Sequence, residues 1–224
     1  MILTPEQIAA VLRNAEPRYR DLLAVFAGTG ARTGEVLGLT WADLDLAGRT
    51  ARFAWQADRH GARVPLKTRN ARRTLDLPGS LVTALSARKL AAEDTTPRAL
   101  VFPSRVGTVL DHHRPGAALA VACKAAGVPV VSPHALRHAH ASALLAAGVD
   151  LAAVSRRLGH GSVAVTAEVY AHLLEDEGRR QGRRDKLDGL YGAAGSPGSP
   201  SSEGSAMAAR TSADAAMGRG RKPA

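Results

Sequence analysis

The first forty residues alternate between apolar stripes at helical spacing and residues that form turns. Thr4 can cap a helix whose first position is Pro5, because proline there gives up only an N–H that has no helical partner. Apolar side chains then recur every three or four residues, which predicts one helix from Pro5 and a second over 18–27. Two glycines interrupt the pattern within 28–35, and a short helix is predicted over 35–39. The chain therefore opens as a helical domain with a glycine-rich break after its second helix.

The pattern changes between residues 50 and 77. Short runs at 50–56, 63–67 and 73–77 have the composition of strands and are separated by turn-forming segments. We predict that they form a small antiparallel sheet of three strands, with Lys67 at the end of the second strand beside a turn.

Helical spacing returns after the strands and continues almost to the end of the apolar sequence. A serine followed by a proline at 132–133 repeats the start signal of the first helix. Further helices are predicted over 81–92, 114–126, 133–147, 151–158 and 163–173. The predicted fold class is mainly α with a small three-stranded antiparallel β-sheet, that is, α+β.

The last part of the chain differs in composition. Residues 182–191 are highly charged but contain leucines that can dock a helix, so we expect a helical extension there. Residues 192–224 are mostly Gly, Ser, Pro and Ala, a composition that cannot bury enough apolar surface to order itself. We therefore expect a folded domain over 1–181, the extension, and a disordered tail over 192–224.

Charge restricts the partners. The chain carries a formal net charge of +10, and residues 1–181 keep 23 basic against 16 acidic side chains. Such an excess favours a polyanionic partner, because Lys and Arg neutralise phosphates and release counterions. The single cysteine, Cys123, excludes an internal disulfide and a cysteine-based zinc cage. No apolar run approaches the length of a membrane span, and we expect a cytoplasmic protein.

Groups that bind anions or transfer protons are concentrated in 132–170. His134 and Arg137 lie three residues apart at a helix start, where free amides also favour an anion such as phosphate. Arginine forks can hold phosphate oxygens, a tyrosine can attack phosphorus, and a lysine or histidine can protonate the leaving oxygen. Such chemistry requires no metal or other cofactor. The candidate catalytic residues are Arg32, Lys67, His134, Arg137, His160 and Tyr170.

Several residues have simpler interpretations. His138 and His140 are more typical of helix packing or capping groups than of catalysts. His134 and His138 have the spacing of helical zinc ligands, but the acidic residue between them and a third ligand are missing. Tyr19 is interpreted as a packing residue, and Tyr191 adjoins the tail. Trp41 and Trp55 are predicted to be core residues.

Four segments resemble the signature boxes of the tyrosine recombinase (phage integrase) family, in the family's order and spacing. They read GTGARTGEVLGLTWADLD, PLKTRNARRTLDLP, HALRHAHAS and LGHGSVAVTAEVYAHL. The resemblance extends from about Leu3 to Leu174 and implies the family's catalytic fold. It also implies a DNA-cutting and rejoining enzyme, with double-stranded DNA as substrate and no cofactor.

The resemblance also implies a role for each matching residue. Arg32 and Arg137 would hold the scissile phosphate, and His160 would contact it. Lys67 would protonate the leaving 5′ oxygen, and His134 would assist proton transfer. Tyr170 would be the nucleophile that forms a 3′-phosphotyrosyl link, with Glu35 in a structural or orienting role. The arginines expected to contact DNA are Arg69, Arg72, Arg73, Arg156 and Arg157.

Family members carry a separate helical DNA-binding domain before the catalytic one, and here Met1 stands two residues before the resembling region. We expect that domain to be absent and DNA recognition to be incomplete, with an accessory DNA-binding protein as a possible partner. The resemblance implies a homotetramer on paired DNA sites. Two other functions share the pattern: relaxation of DNA by a type IB topoisomerase, and DNA binding by a remnant that has lost turnover.

Overall fold

A computed structural model describes residues 2–174 and 177–191 of the chain, with the backbone alone at 171–174, 177–180, 183 and 191. Its helices are α1 (Pro5–Asn14), α2 (Pro17–Thr29), α3 (Thr33–Leu37), α4 (Gly79–Leu90), α5 (Arg114–Ala125), α6 (Pro133–Ala146), α7 (Leu151–Leu158), α8 (Val163–Leu174) and α9 (Glu177–Tyr191). Its strands are β1 (Leu44–Asp45), β2 (Thr50–Phe53), β3 (Trp55–Ala57), β4 (Arg63–Pro65) and β5 (Arg73–Asp76). The predicted fold class is confirmed.

The helix starts follow the capping signals in the sequence. Thr4 and Gln7 form a reciprocal capping box at the start of α1. Ser132 and Asp150 accept hydrogen bonds from the third residue beyond them and cap α6 and α7. Helix α2 ends at Gly30, whose φ of 64° is accessible to glycine at little cost. A Cβ atom there would also lie 2.8 Å from the ring of His140, so the turn that leads to the first candidate arginine requires glycine.

The strands pair differently from the prediction. Strand β2 lies between β1 and β5 in a three-stranded antiparallel sheet, while β3 and β4 form a separate two-stranded hairpin. The predicted strand over 50–56 is divided at Ala54, whose carbonyl accepts a hydrogen bond from the Leu66 N–H. Its first half therefore belongs to one sheet and its second half to the other, and β1 was missed because it has only two residues.

Helix α2 is the centre of the larger core and contacts α1, α4, α5 and α6. A second, smaller cluster joins α6, α7 and α8 and consists of Ala141, Leu145, Val154, Leu158 and Tyr170. Trp41 is buried as predicted, but Trp55 is wrongly predicted, because 37% of it is exposed on the hairpin, where the Arg63 guanidinium stacks on it. The two clusters place the end of α2 beside α6 and α7.

Residues 177–191 form a second compact unit, and its helix begins five residues before the predicted extension. Leu187 and Leu190 are exposed in this unit. The predicted disordered tail over 192–224 lies outside the described residues. Among the helices in the described ranges, none has both the length and the hydropathy needed to cross a membrane.

Candidate active site

Arg137 occupies the junction between three helices. Its side chain projects from α6 and is buried, and its Nη1 and Nη2 donate to the carbonyls of Gly30 and Leu158, each at 2.7 Å. These carbonyls end α2 and α7, so the guanidinium has a fixed orientation. Burial, and then the charge of Arg32, lower the pKa of Arg137 to about 10, which leaves it cationic at neutral pH.

Arg32 lies two residues beyond Gly30 and remains open to solvent, with 42% of its side chain exposed. Its Nη1 donates to Glu35 Oε1 at 3.0 Å and its Nη2 to the Gly159 carbonyl at 3.3 Å. The shared contacts with the ends of α2 and α7 bring Arg32 and Arg137 to the same side of the domain. Two positive charges therefore lie close together, one buried and one open to solvent, and both can act on a phosphate bound there.

Glu35 accepts hydrogen bonds from Arg32 and from Arg73 and so links the two side chains. It is fully buried, and its oxygens accept from Arg32 at 3.0 Å and from both terminal nitrogens of Arg73 at 3.0 and 2.8 Å. Burial acts to raise the pKa of Glu35, but the hydrogen bonds and charges of Arg73 and Arg32 outweigh it and hold the pKa below its ordinary value. The orienting role expected for Glu35 is consistent with this geometry.

Two of the arginines predicted to contact DNA, Arg73 and Arg157, form hydrogen bonds with other parts of the protein. The Arg73 side chain is 6% exposed and, besides its contacts with Glu35, donates to the carbonyls of Arg157 and Ala71. Arg157 donates to His140 Nε2 and to the carbonyls of Gly28 and Asp76. These donors join elements of the fold, and the predicted DNA contacts of the two arginines stay predictions.

The remaining three, Arg69, Arg72 and Arg156, are exposed. Asn70 Nδ2 donates to the Gly161 carbonyl at 3.2 Å and thereby joins the turn of 69–71 to the loop after α7. The exposed arginines of that turn therefore lie next to the loop that carries His160.

His160 follows the left-handed turn at Gly159 that ends α7. Its Nδ1 lies 2.7 Å from the hydroxyl of Thr166, which is buried in α8. Burial, followed by the charges of Arg137 and Arg32, lowers the pKa of His160 to about 4. The imidazole is therefore neutral near pH 7 and lies within the field of both arginines.

Tyr170 lies inside α8, where its φ of −117° and ψ of 16° interrupt the helical geometry. The residue is 1% exposed, and its hydroxyl oxygen lies 2.8 Å from His138 Nδ1. Burial raises the pKa of the phenol, and the positive charge of Arg137 opposes this effect. The phenol of Tyr170 is therefore protonated near pH 7, and it lies close enough to Arg137 for the guanidinium charge to stabilise its phenolate form.

His134 is on the exposed side of α6, and its ring meets that of His138 edge-on, with 4.6 Å between centroids. Burial and the charges of Arg137 and Arg32 lower the pKa of His134. The interpretation of His138 as packing or capping missed its contact with Tyr170. The signal was its spacing of four residues from His134, which places both on one helix face.

Lys67 stands apart from the other candidates. It is exposed in the bend between β4 and the turn of 69–71. Within the described residues it makes no ion pair or hydrogen bond with another candidate catalytic residue, whereas charges or contacts link the other five: Arg32, His134, Arg137, His160 and Tyr170. The structure therefore brings together five of the six candidates.

Known proteins are similar to this chain over most of its length. The model of the phage integrase family matches residues 1–177. A tyrosine recombinase XerC-like protein of Caldanaerobacter subterraneus subsp. tengcongensis is 32% identical over 181 residues, covering 70% of this chain and 46% of that protein. An integrase of Streptomyces ambofaciens is 38% identical over 188 residues, covering 75% of this chain and 48% of its own length. The chain thus spans about half the length of these curated relatives.

Solved structures share the fold. A crystal structure of XerA recombinase matches with a TM-score of 0.64 at 24% identity, covering 87% of this chain and 63% of that one. The Tn1549 transposon integrase in complex with circular intermediate DNA matches with a TM-score of 0.71 at 23% identity, covering 82% of this chain and 66% of that one. These similarities show the fold, and the family match over residues 1–177 establishes that the protein belongs to the phage integrase family.

Proposed function

We propose that this protein is a tyrosine-type site-specific DNA recombinase or integrase, which cuts and rejoins DNA through a 3′-phosphotyrosyl intermediate. The observation that carries the proposal is the convergence of the Arg32 and Arg137 guanidinium groups on neighbouring carbonyls at the end of α7, with Arg137 close enough to the Tyr170 phenol for its charge to act on it. Fixed cations next to a tyrosine suit phosphoryl transfer, because they stabilise both the phenolate and the charge that builds on the phosphoryl oxygens.

In this mechanism the two arginines and His160 hold the scissile phosphate, and Tyr170 attacks phosphorus. The bond to the 5′ oxygen breaks, and Lys67 protonates that oxygen, with assistance from His134. A 5′ hydroxyl of a partner strand later attacks the phosphotyrosine, so the bond energy is retained without ATP or a metal. Lys67 lies in an exposed bend, and closure of that bend on DNA would bring it to the leaving oxygen.

The substrate in this proposal is double-stranded DNA, and assembly is a homotetramer on paired sites, with an accessory DNA-binding protein as a further partner and a cytoplasmic location. The net charge of +10 supports the choice of DNA. The catalytic domain over 1–181 and the helical extension over 182–191 are part of the same proposal.

The direct test is trapping of the covalent intermediate. A library of nicked duplexes with a randomised centre is incubated with the protein, and adducts are isolated on denaturing gels. Because the tyrosine keeps the 3′ phosphate, we expect the adduct to retain a label at the 5′ end of the cut strand and to release the fragment with a free 5′ hydroxyl. An adduct with the opposite polarity, or none with the folded protein, would contradict the proposal.

DNA affinity should depend strongly on salt. Phosphate contacts release counterions, so a plot of log K against log salt has a negative slope. The magnitude of that slope is expected to decrease by about 0.9 for each contact removed. Replacing the exposed Arg69, Arg72 and Arg156 with glutamine should reduce the slope by about 3 on that basis, as measured by fluorescence anisotropy.

The matched control is Arg105→Gln, which removes the same charge from an exposed arginine. Arg105 borders the same surface depression as Arg18. Arg18 lies twelve residues before Gly30 along α2 and its C-cap, and at the helical rise this corresponds to about 18 Å. The control arginine therefore lies near the end of α2 that is remote from Arg32. A reduction of about 0.9 by Arg105→Gln, as large as that expected for each of the three arginines, would show that they form no specific DNA contact.

A further inference from the structure

The contact between His138 and Tyr170 joins the middle of α6 to the break in α8. His138 Nδ1 and the Tyr170 hydroxyl oxygen are 2.8 Å apart, and the ring centroids are 5.8 Å apart. We propose that His138 is a catalytic residue that accepts the phenol proton of Tyr170 during cleavage and returns it during rejoining. This inference rests on the proposed function and names the base in that reaction.

Burial identifies the direction of the hydrogen bond. Tyr170 is 1% exposed, so water does not serve as the acceptor for its O–H, and a buried donor without an acceptor costs about 1–3 kcal/mol. An imidazole that carries its proton on Nε2 offers the lone pair of Nδ1 to that O–H. The observed contact is therefore the geometry required for transfer of the phenol proton to His138.

The surroundings keep His138 able to accept a proton. Burial, followed by the charges of His134 and Arg137, lowers the pKa of His138, so the imidazole is neutral near pH 7. Among the residues that the structure describes, the charged or titratable groups that act on it are His134 and Arg137 on α6, His160 from the loop after α7, and Tyr170 on α8. Arg137 also favours the phenolate that remains after proton transfer.

His134 is less well placed for this step. It is exposed and touches the edge of the His138 ring. Assigning the phenol proton to His138 leaves His134 free to act on the solvent side of the site, where the substrate enters.

The proposed step is balanced. In cleavage, the proton moves from the Tyr170 oxygen to His138 Nδ1, the oxygen–phosphorus bond forms, and the bond to the 5′ oxygen breaks as that oxygen gains a proton from Lys67. In rejoining, a 5′ hydroxyl gives its proton to Lys67 and attacks phosphorus. The phenolate then leaves and recovers its proton from His138.

The test uses His138→Gln, which preserves a hydrogen-bond acceptor for the phenol but removes the base. We expect the single-turnover rate of adduct formation to fall about 100-fold at neutral pH, a typical contribution of general base catalysis. DNA affinity and Tm should stay unchanged. His113→Gln, at an exposed histidine before α5, is the matched control and should cleave at the wild-type rate.

A second variant separates proton transfer from positioning. Replacing Tyr170 with 3,5-difluorotyrosine makes the phenol more acidic, and it should restore most of the lost rate in His138→Gln while changing the rate of the wild-type protein little. Cleavage by His138→Gln at or above the wild-type rate, or a lowered rate without rescue by the fluorinated residue, overturns the inference and leaves the proposed function intact. Absence of an adduct with the wild-type protein overturns both.

Discussion

Replacement of Tyr170 by phenylalanine is expected to abolish the covalent protein–DNA adduct completely, because no other group can supply the attacking oxygen at that position. The ring remains packed against the cluster of Leu145, Val154 and Leu158, so the domain should fold as before. Loss of the hydroxyl removes one buried hydrogen bond to His138, worth about 1 kcal/mol. The measurements are denaturing-gel detection of the adduct, thermal unfolding, and binding to duplex DNA, of which only the first should change strongly.

The chain offers two matched controls, because it has only three tyrosines. Tyr19→Phe and Tyr191→Phe make the same chemical change at the two tyrosines that are not predicted to be the nucleophile, and both variants should form the adduct at the wild-type rate. Survival of the adduct in Tyr170→Phe, or its loss in either control, contradicts the assignment of the nucleophile. A DNA-binding remnant is also distinguished, since its wild-type form would bind duplex DNA without ever forming the adduct.

The helices were predictable because their ends are specified locally. A cap such as Thr4 or Ser132 acts within three residues of itself, and the apolar stripe that follows needs only helical spacing. Strand pairing is not local in this way. The carbonyl of Ala54 meets the N–H of Leu66, a contact that no pattern within 50–56 indicates, and it divides the predicted strand between two sheets.

The candidate site, like the fold, is predictable from local sequence only in part. The glycine break before Arg32 and the helix start before Arg137 are sequence signals, and both residues lie at the site. Arg69, Arg72 and Arg73 form one basic segment in sequence, and only the fold shows that the third turns inward to Glu35. The partner of His138 was equally inaccessible, because Tyr170 is thirty-two residues away. Residue type and spacing thus indicate the chemistry, while side-chain direction depends on tertiary packing.

Glu35→Gln is expected to cause the largest loss of stability among single substitutions around the site. Arg73 has a side-chain exposure of 6%, and its charge is compensated by the fully buried Glu35 carboxylate at 2.8 Å. Removal of one partner from a buried ion pair leaves an uncompensated charge and typically costs about 3–5 kcal/mol. The free energy of unfolding, measured by urea titration, should fall by that amount. Asp21→Asn is the matched control, since its pair with Arg88 is longer at 3.5 Å and partly exposed, and it should cost less than about 1 kcal/mol.

The pair of Glu35 and Arg73 also predicts how the difference in unfolding free energy between the wild-type protein and Glu35→Gln depends on pH. The folded protein holds the pKa of Glu35 below its ordinary value of 4.5, so the unfolded chain takes up the proton first as pH falls. The contribution of the carboxylate is therefore complete above pH 4.5 and is lost as the pH falls through the folded pKa. The difference in unfolding free energy between wild-type protein and Glu35→Gln should be constant near neutral pH and shrink in acid. A difference that grows in acid, or a cost no larger than that of Asp21→Asn, would show that Glu35 does not compensate the buried charge of Arg73.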